Sequence, residues 1–329
     1  MSNLILTADD YGVIDGIDNA ILEAAKAGRI NSIAVLPNAS DAPQRLQRLR
    51  QECPPEVEIG CHFTLTSGSV VSSPEKVPSL HRNGKFFSHK ELNYAMNPEE
   101  VKIELRAQLG VFEAENIKVK HLSSHHKALD FFEPVHKAFL QIAHEYSNRQ
   151  IPIRSPFNRP KFKQYLYIQF LATALQDDLP DEEIDRFLAF ARRMTSVRKV
   201  NLLLKEYGFP RPKIKLPSYL DSSHFGLPDS RLIPEHEIIR ISKNRRKRLL
   251  RRIKRINRIR PVELLFHLIE DDYGSLLNGK FNQQIREANY PGIDSNYFDG
   301  RIIEMKSLMG ISEENLRQRG AKKISWSEL

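Results

Sequence analysis

Cysteine is nearly absent from this sequence of 329 residues, which contains only Cys53 and Cys61. Two cysteines are too few for a disulfide framework, and their spacing does not match the CxxC pairs of a structural zinc site. The sequence also lacks any run of about 18 apolar residues that would span a membrane. No segment combines basic residues, an apolar stretch and a small-residue cleavage site, as secretory signals do. We therefore expect free thiols in a cytoplasmic protein.

Acidic residues are absent from the segment Lys243–Arg260, KNRRKRLLRRIKRINRIR, which holds eleven basic residues. The whole chain has 50 basic and 41 acidic residues, so the remainder has 39 against 41 and a net charge of −2. The aliphatic residues of the segment recur at helical spacing, which favours an outer helix with one buried face. They are Leu249, Leu250, Ile253 and Ile256. Nucleic acid or an anionic membrane stays open as a partner for its cations.

Short apolar segments alternate with amphipathic helical segments along most of the chain. Those typical of buried strands are residues 4–6, 32–36, 57–61, 117–119, 151–153 and 262–266. The alternation predicts a mainly parallel sheet, and a chain of 329 residues fits one large α/β barrel. We therefore predict a single domain over residues 1–329, a deformed (β/α) barrel. Residues 161–260 depart from the alternation, and we expect a helix-rich, basic insertion there.

Ionisable side chains occur where the predicted strands end. These side chains are Asp9, Asp10, His62, His121, His125, His126, Arg154 and His267. In a parallel β/α barrel, the residues just past the carboxyl ends of the strands meet at one rim. The sequence therefore predicts that five separated segments contribute to one site.

Carboxylates and imidazoles at one rim are suited to a divalent metal ion such as Mg, Mn, Co or Zn. Adjacent Asp9 and Asp10 repel each other, and a cation bound at one removes much of that cost and leaves the other as a general base. Such an ion polarises a carbonyl and lowers the pKa of bound water from about 15.7 towards about 7. Hydrolysis of an amide or ester is the reaction that this set predicts.

Each of these groups also has a purely structural explanation. An Asp-Asp pair after a strand is often a helix cap or a turn. His62 would serve equally well as a hydrogen-bonded interior histidine, and Arg154 as the partner of a nearby acid. Their joint placement at one predicted rim favours the metal site.

Several motifs resemble those of the YdjC-like, or ChbG-type, carbohydrate deacetylases. They are TADDYG (7–12), GCHFTLTSG (60–68), KVPSLHRNGKFF (76–87), HLSSHHKALDFFEPV (121–135), IRSP (153–156), VELLFH (262–267) and GAKKISWSEL (320–329). The resemblance spans nearly the whole chain and is loosest over residues 161–260. It implies a hydrolase of carbohydrate metabolism that uses a divalent metal ion, magnesium before zinc, cobalt or manganese. The substrate it implies is an N-acetylated amino sugar or small oligosaccharide.

The resemblance also assigns roles to individual residues. It implies that the metal ligands are Asp10, His62 and His125. Asp9 corresponds to the base that activates water, and Arg154 to an arginine that faces the substrate. His267 corresponds to a histidine that protonates the leaving amine or stabilises the oxyanion.

The third motif departs from the family pattern. Ser123 stands where the family has an aspartate, and Lys127 and Leu129 stand where it has histidines. His267 is followed by Leu-Ile instead of the usual Pro-Gly. Two alternatives therefore stay open: a deacylase acting on another sugar conjugate or glycolipid, and a non-catalytic carbohydrate-binding protein. The oligomeric state is open as well, a homodimer included.

Overall fold

A computed structural model describes residues 1–87, 96–130, 132–154, 197–210, 213–214, 234–256, 261–270 and 295–329. Its strands are β1 (Ser2–Tyr11), β2 (Ser32–Val35), β3 (Glu58–Phe63), β4 (His81–Arg82), β5 (Lys85–Phe86), β6 (Leu122–Ser124), β7 (Lys213–Ile214), β8 (Val262–His267) and β9 (Ala321–Lys323). Its α-helices are α1 (Asp15–Lys26), α2 (Ala42–Glu52), α3 (Pro98–Ala114), α4 (Glu133–Ser147), α5 (Val197–Glu206), α6 (Glu235–Lys254), α7 (Ser295–Met309) and α8 (Glu313–Arg317).

Over the residues described, the main sheet has seven strands and all of their pairings are parallel, in agreement with the predicted mainly parallel sheet. Its order is β6-β3-β2-β1-β8-β7, with β9 paired to the start of β1. β4 and β5 form a separate antiparallel pair. Because the strands run the same way, the carboxyl ends of β1, β3, β6 and β8 lie at one edge of the sheet. The fold is therefore α/β, and closure of the sheet into a barrel stays a prediction.

The core forms because both the central strands and the helices carry apolar faces. Leu4, Ile5 and Leu6 of β1 are at most 3% exposed, as expected for a parallel strand covered on both sides. In α1 the residues Ile17 and Ile21 lie on the buried face. The helix stops before Gly28, whose φ of 66° is left-handed and suits glycine.

One predicted strand begins later than expected. Residues 117–119 were expected to be a strand, but β6 starts only at Leu122. The reason is a turn after α3, where Asn116 has a φ of 56°. The chain reaches the edge of β3 only when the Lys120 N–H donates to the carbonyl of Ile59. Of the predicted strand at residues 151–153, the structure has a single parallel bridge between Ile153 and Leu122.

The basic segment is helical over its described part, as predicted. α6 buries Leu249, Leu250 and Ile253, and Ile256 just beyond the helix is buried as well. Residues 257–260 lie outside the described ranges, as does most of the expected insertion at 161–260. Among the described helices, none has the length and apolar composition needed to cross a bilayer.

Candidate metal centre

The aspartate doublet lies at the carboxyl end of β1, where the strand loses its regular form. The pairing of β1 with β2 shifts register between Ala8 and Tyr11, and Asp10 has a φ of 73°. Adjacent side chains of a regular strand point to opposite faces, but a bulge with a left-handed residue redirects them. Both carboxylates therefore approach His62, whose Nε2 lies 3.9 Å from Asp9 Oδ2 and 3.6 Å from Asp10 Oδ1.

Asp10, His62 and His125 form a buried cluster at this edge of the sheet. One candidate ligand atom from each residue lies within 4.8 Å of the other two. Nδ1 of His125 is 3.2 Å from Asp10 Oδ1 and 3.3 Å from His62 Nε2. The three side chains come from the ends of β1 and β3 and from the turn after β6. The structure thus brings together the three residues that the family resemblance implies as metal ligands.

Serine hydroxyls hold the outer nitrogen of each imidazole. Ser123 Oγ lies 2.7 Å from His62 Nδ1, and Ser67 Oγ lies 3.3 Å from His125 Nε2. A hydrogen bond to one ring nitrogen fixes the ring and leaves the other nitrogen to face a ligand or metal. Here His62 Nε2 and His125 Nδ1 are the nitrogens directed at Asp10.

The protonation states of this cluster suit a cation. Burial lowers the pKa of His62 to about 3, so its imidazole is neutral near pH 7. Burial alone would raise the pKa of Asp10, but Arg301 and His125 hold it well below its usual range. Oδ1 of Asp10 is buried and has no well-aligned hydrogen bond within the described part of the chain, although His125 Nδ1 is 3.2 Å away. A buried, ionised carboxylate oxygen close to two imidazole nitrogens is the donor set that a divalent ion binds.

Asp9 is bound at both of its oxygens by one guanidinium. Arg154 donates from Nη1 to Asp9 Oδ2 and from Nη2 to Asp9 Oδ1, each at 2.7 Å. The same guanidinium donates to the buried carboxylate of Glu263, with Nη2 at 2.8 Å and Nε at 3.1 Å. Burial alone would raise the pKa of Asp9, but Arg154 and His62 lower it. Asp9 is therefore ionised and held in one orientation beside the cluster.

His267 lies beside the doublet at the end of β8. It is the register partner of Asp9 in the parallel pairing of β1 and β8. Its backbone N–H donates to Glu304 Oε2 at 2.6 Å, and its ring is partly exposed. The ring is thus the more accessible group of the site, next to both aspartates.

His121, which the sequence placed on the same rim, is not part of the cluster. Its ring is fully buried and stacks on Trp326 with 4.5 Å between the centroids. Gly60 permits this position, because a Cβ there would come within 2.1 Å of the imidazole. His126 is exposed, and its Nδ1 lies 3.0 Å from the hydroxyl of Thr66. Of the three histidines in this motif, only His125 joins the cluster.

The sequence model of YdjC-like proteins matches residues 3–287 of the chain. The chain belongs to the YdjC-like family. It is 31% identical over 165 residues to a carbohydrate deacetylase of Thermoanaerobacter pseudethanolicus, covering 49% of this chain and 64% of that protein. It is also 31% identical over 156 residues to a chitooligosaccharide deacetylase of Proteus mirabilis, covering 46% of this chain and 58% of that protein. These matches span less than two thirds of either relative.

A solved structure supports the fold. The crystal structure of an Enterococcus faecalis V583 protein, with a proposed role in cellobiose-phosphate cleavage, aligns with a TM-score of 0.67. The alignment covers 99% of this chain and 98% of that one at 20% sequence identity. At this identity the similarity establishes the common fold alone.

The departures of this YdjC-like chain from the family motif have visible structural consequences. Ser123, in place of the aspartate, keeps a hydrogen bond to His62 Nδ1 but brings no charge. Lys127 adopts a left-handed φ of 58° in the turn that carries His125. It lies near Asp130, whose pKa burial raises to about 7 while Lys127 opposes the rise. The three candidate ligand residues therefore lie together despite the altered positions.

Three buried, charged residues that contact the site in this YdjC-like protein were not predicted from the sequence. Glu263 binds Arg154, Arg301 binds Asp10, and Glu304 binds the backbone of His267; all three are at most 1% exposed. Glu263 had a signal, because it is a charged residue inside the apolar run VELLFH. Arg301 and Glu304 had no such signal, because charged residues at helical spacing are equally common on exposed helices.

Proposed function

We propose that this YdjC-like protein is a metal-dependent carbohydrate deacetylase that hydrolyses the N-acetyl group of an amino sugar or small oligosaccharide. The observation that carries the proposal is the buried cluster of Asp10, His62 and His125 beside an ionised Asp9. The names of the relatives, carbohydrate deacetylase and chitooligosaccharide deacetylase, support the same substrate class. Magnesium is the ion we favour, with zinc, cobalt and manganese as alternatives.

The proposed ligands are Asp10 Oδ1, His62 Nε2 and His125 Nδ1. A divalent ion held there would polarise the acetyl carbonyl and lower the pKa of a water molecule from about 15.7 towards about 7. The reaction also needs a group that accepts a proton from the attacking water. Asp9 suits that part, because Arg154 keeps it ionised and fixes its orientation.

In the proposed reaction, Asp9 accepts a proton from the water that attacks the acetyl carbonyl carbon. The carbon–nitrogen bond then breaks, the amine leaves with one added proton, and acetate is released. His267 is the group we assign to that protonation or to stabilising the oxyanion, since its partly exposed ring lies beside Asp9 in the register. The family resemblance implies that Arg154 faces the substrate, and that contact stays a prediction. The contacts of Arg154 in the structure support a role in holding Asp9.

The non-catalytic alternative rests on Ser123 and Lys127, which replace family residues. The contact of 2.7 Å between Ser123 Oγ and His62 Nδ1 favours the enzyme, because a ring that donates from Nδ1 to the serine hydroxyl leaves Nε2 free of a proton to face the metal. A deacylase of another sugar conjugate would share the same metal cluster and differ only in substrate.

Metal titration and acetate release distinguish these functions. Protein stripped by a chelator is titrated with Mg²⁺, Mn²⁺, Co²⁺ and Zn²⁺, and each loaded form is assayed for acetate from a panel of N-acetylated sugars. We expect one ion per chain and acetate release that depends on it. Metal binding with release of a different acyl group would indicate the other deacylase, and sugar binding without metal or turnover would indicate the non-catalytic protein.

A further inference from the structure

Helix α7 places two buried charged side chains against the candidate metal centre. Arg301 and Glu304 lie one helical turn apart on the same face, and they are 1% and 0% exposed. Arg301 Nη2 donates to Asp10 Oδ2 at 2.6 Å. Glu304 Oε2 accepts from the backbone N–H of His267, also at 2.6 Å. A single helix thus contacts the ends of both β1 and β8.

The position of these side chains is fixed by the packing of α7. Its residues Ile302, Ile303 and Leu308 are at most 1% exposed, so the helix is buried on several sides. The hydroxyl of Ser307 is shared between the carbonyl of Ile303 in its own helix, at 2.5 Å, and that of Ser242 in α6, at 3.2 Å, so it contacts both helices. The guanidinium of Arg301 is therefore presented to Asp10 by a rigid element.

Arg301 selects which oxygen of Asp10 is available. The last torsion of an aspartate side chain is broad and close to two-fold, so an unrestrained carboxylate exchanges its oxygens easily. The hydrogen bond to Oδ2 removes that freedom and leaves Oδ1 facing His62 Nε2 and His125 Nδ1, at 3.6 and 3.2 Å. The positive charge also offsets the cost of burying an ionised carboxylate before any ion binds.

Glu304 acts in the same way on the neighbouring strand. Its second oxygen, Oε1, accepts a hydrogen bond from Arg245 of the basic helix α6. The buried carboxylate is thus paired on one side and holds the His267 end of β8 on the other. One cation of the basic segment therefore has a structural partner inside the fold.

We propose that Arg301 is a positioning residue that orients Asp10 for metal binding through Oδ1 alone, and that Glu304 positions the His267 end of β8. The proposal rests on the metal site of the proposed function. Loss of the outer partner of a metal ligand typically costs about 10- to 100-fold in metal affinity or activity. Substitution of Arg301 should lower metal affinity, whereas substitution of Glu304 should lower turnover with little change in affinity.

The test compares Arg301→Met with Leu308→Ala, a core truncation two turns along the same helix without contact to Asp10. Mn²⁺ affinity is measured by calorimetry and stability by thermal melting of the metal-free proteins. We expect Arg301→Met to bind Mn²⁺ at least about 10-fold more weakly, and Leu308→Ala to melt at lower temperature with unchanged affinity. Equal losses in the two variants would show general loosening, and unchanged or tighter binding by Arg301→Met would show no positioning; either result overturns the proposal.

Two further variants keep the test decisive. Arg301→Lys retains the charge and one donor, so its affinity should lie between those of wild type and Arg301→Met, and it replaces the latter if that variant does not fold. Glu304→Ala should retain Mn²⁺ binding within about threefold and lose about 10-fold in kcat at saturating metal. Wild-type protein that binds no metal would refute the proposed function itself, whereas wild-type binding with an unaffected Arg301→Met refutes only this inference.

Discussion

Asp9 and Asp10 are adjacent in the chain, yet each is paired with its own arginine and in a different way. Arg154 binds both oxygens of Asp9, whereas Arg301 binds only Oδ2 of Asp10. The two like charges are tolerated in a buried place because each has a separate counter-charge. The unequal pairing also separates their chemistry, since only Asp10 keeps an oxygen directed at two imidazoles.

The largest expected effect comes from exchanging the two aspartates for asparagine. Asp10→Asn should bind the metal ion more than about 100-fold more weakly, because it alters a proposed ligand itself and not only the partner of a ligand. We expect its activity to be lost as well. Asp9→Asn should retain the metal and lose about 10²- to 10⁴-fold in kcat, the usual contribution of a general base. Calorimetric metal titration and acetate release measure the two quantities. Metal loss in Asp9→Asn, or full turnover without its carboxylate, would contradict the division of roles.

A second test removes the arginine of Asp9. Arg154→Met leaves the buried carboxylates of Asp9 and Glu263 without their cation, so the free energy of unfolding should fall by about 3–5 kcal/mol. The matched control is Arg106→Met, because Arg106 makes a similar two-point contact with Glu145 at the surface, with both side chains half exposed. That loss should be below about 1 kcal/mol. Urea unfolding measures both, and equal losses would show that burial does not strengthen the dependence on Arg154.

A third test concerns the hydroxyls that hold the two imidazoles. Ser123→Ala removes the 2.7 Å contact to His62, and Ser67→Ala removes the 3.3 Å contact to His125. We expect Mn²⁺ affinity to fall by about 10-fold for Ser123→Ala and by less for Ser67→Ala, since the shorter hydrogen bond constrains its ring more. A larger loss of Mn²⁺ affinity for Ser67→Ala than for Ser123→Ala would contradict this expectation. Ser123→Asp, which restores the family residue, should bind at least as tightly as wild type.

Much of this arrangement was predictable because it depends on strand ends. The apolar run ending at Asp9 and the histidine after β3 lie at one edge as soon as the sheet is parallel, and no fine geometry is needed for that conclusion. The same argument grouped His121 with His125, and it was wrong for His121 because it cannot distinguish a side chain stacked inside the core from one at the edge. The predicted barrel closure and the single-domain organisation stay predictions.

Other features depend on contacts between distant segments and left no local signal. The left-handed backbone of Asp10 brings both carboxylates to one side. Few non-glycine residues adopt that conformation, so nothing in the sequence indicated it. Arg301 and Glu304 have the spacing of an ordinary surface pair, and only the packing of α7 against the sheet gives them their partners. Sequence patterns therefore predict which candidate metal ligands lie close together better than they predict the residues that hold those ligands in place.

Asp130 is a further buried carboxylate to compare with Asp9 and Asp10. The cation near it is a lysine, Lys127, instead of an arginine. Burial raises the pKa of Asp130 to about 7, and Lys127 only partly opposes the rise. In the unfolded chain an aspartate titrates near 3.8, so the native state holds a proton that the unfolded state releases. The stability from this group is therefore full below pH 3.8 and is lost as the pH rises through about 7.

The corresponding test is the smallest in expected effect. Between pH 6 and pH 8, ionisation of Asp130 should lower the free energy of unfolding by about 1 kcal/mol. Asp130→Asn should remove this part of the decline, because the amide does not titrate. Asp18, whose pKa burial also raises to about 7, contributes to both proteins alike, and the lowered pKa values of Asp9 and Asp10 keep both ionised throughout this range. Urea unfolding of metal-free protein at the two pH values gives the difference. An unchanged slope in Asp130→Asn would mean that Lys127 keeps this carboxylate ionised, as the arginines do for Asp9 and Asp10.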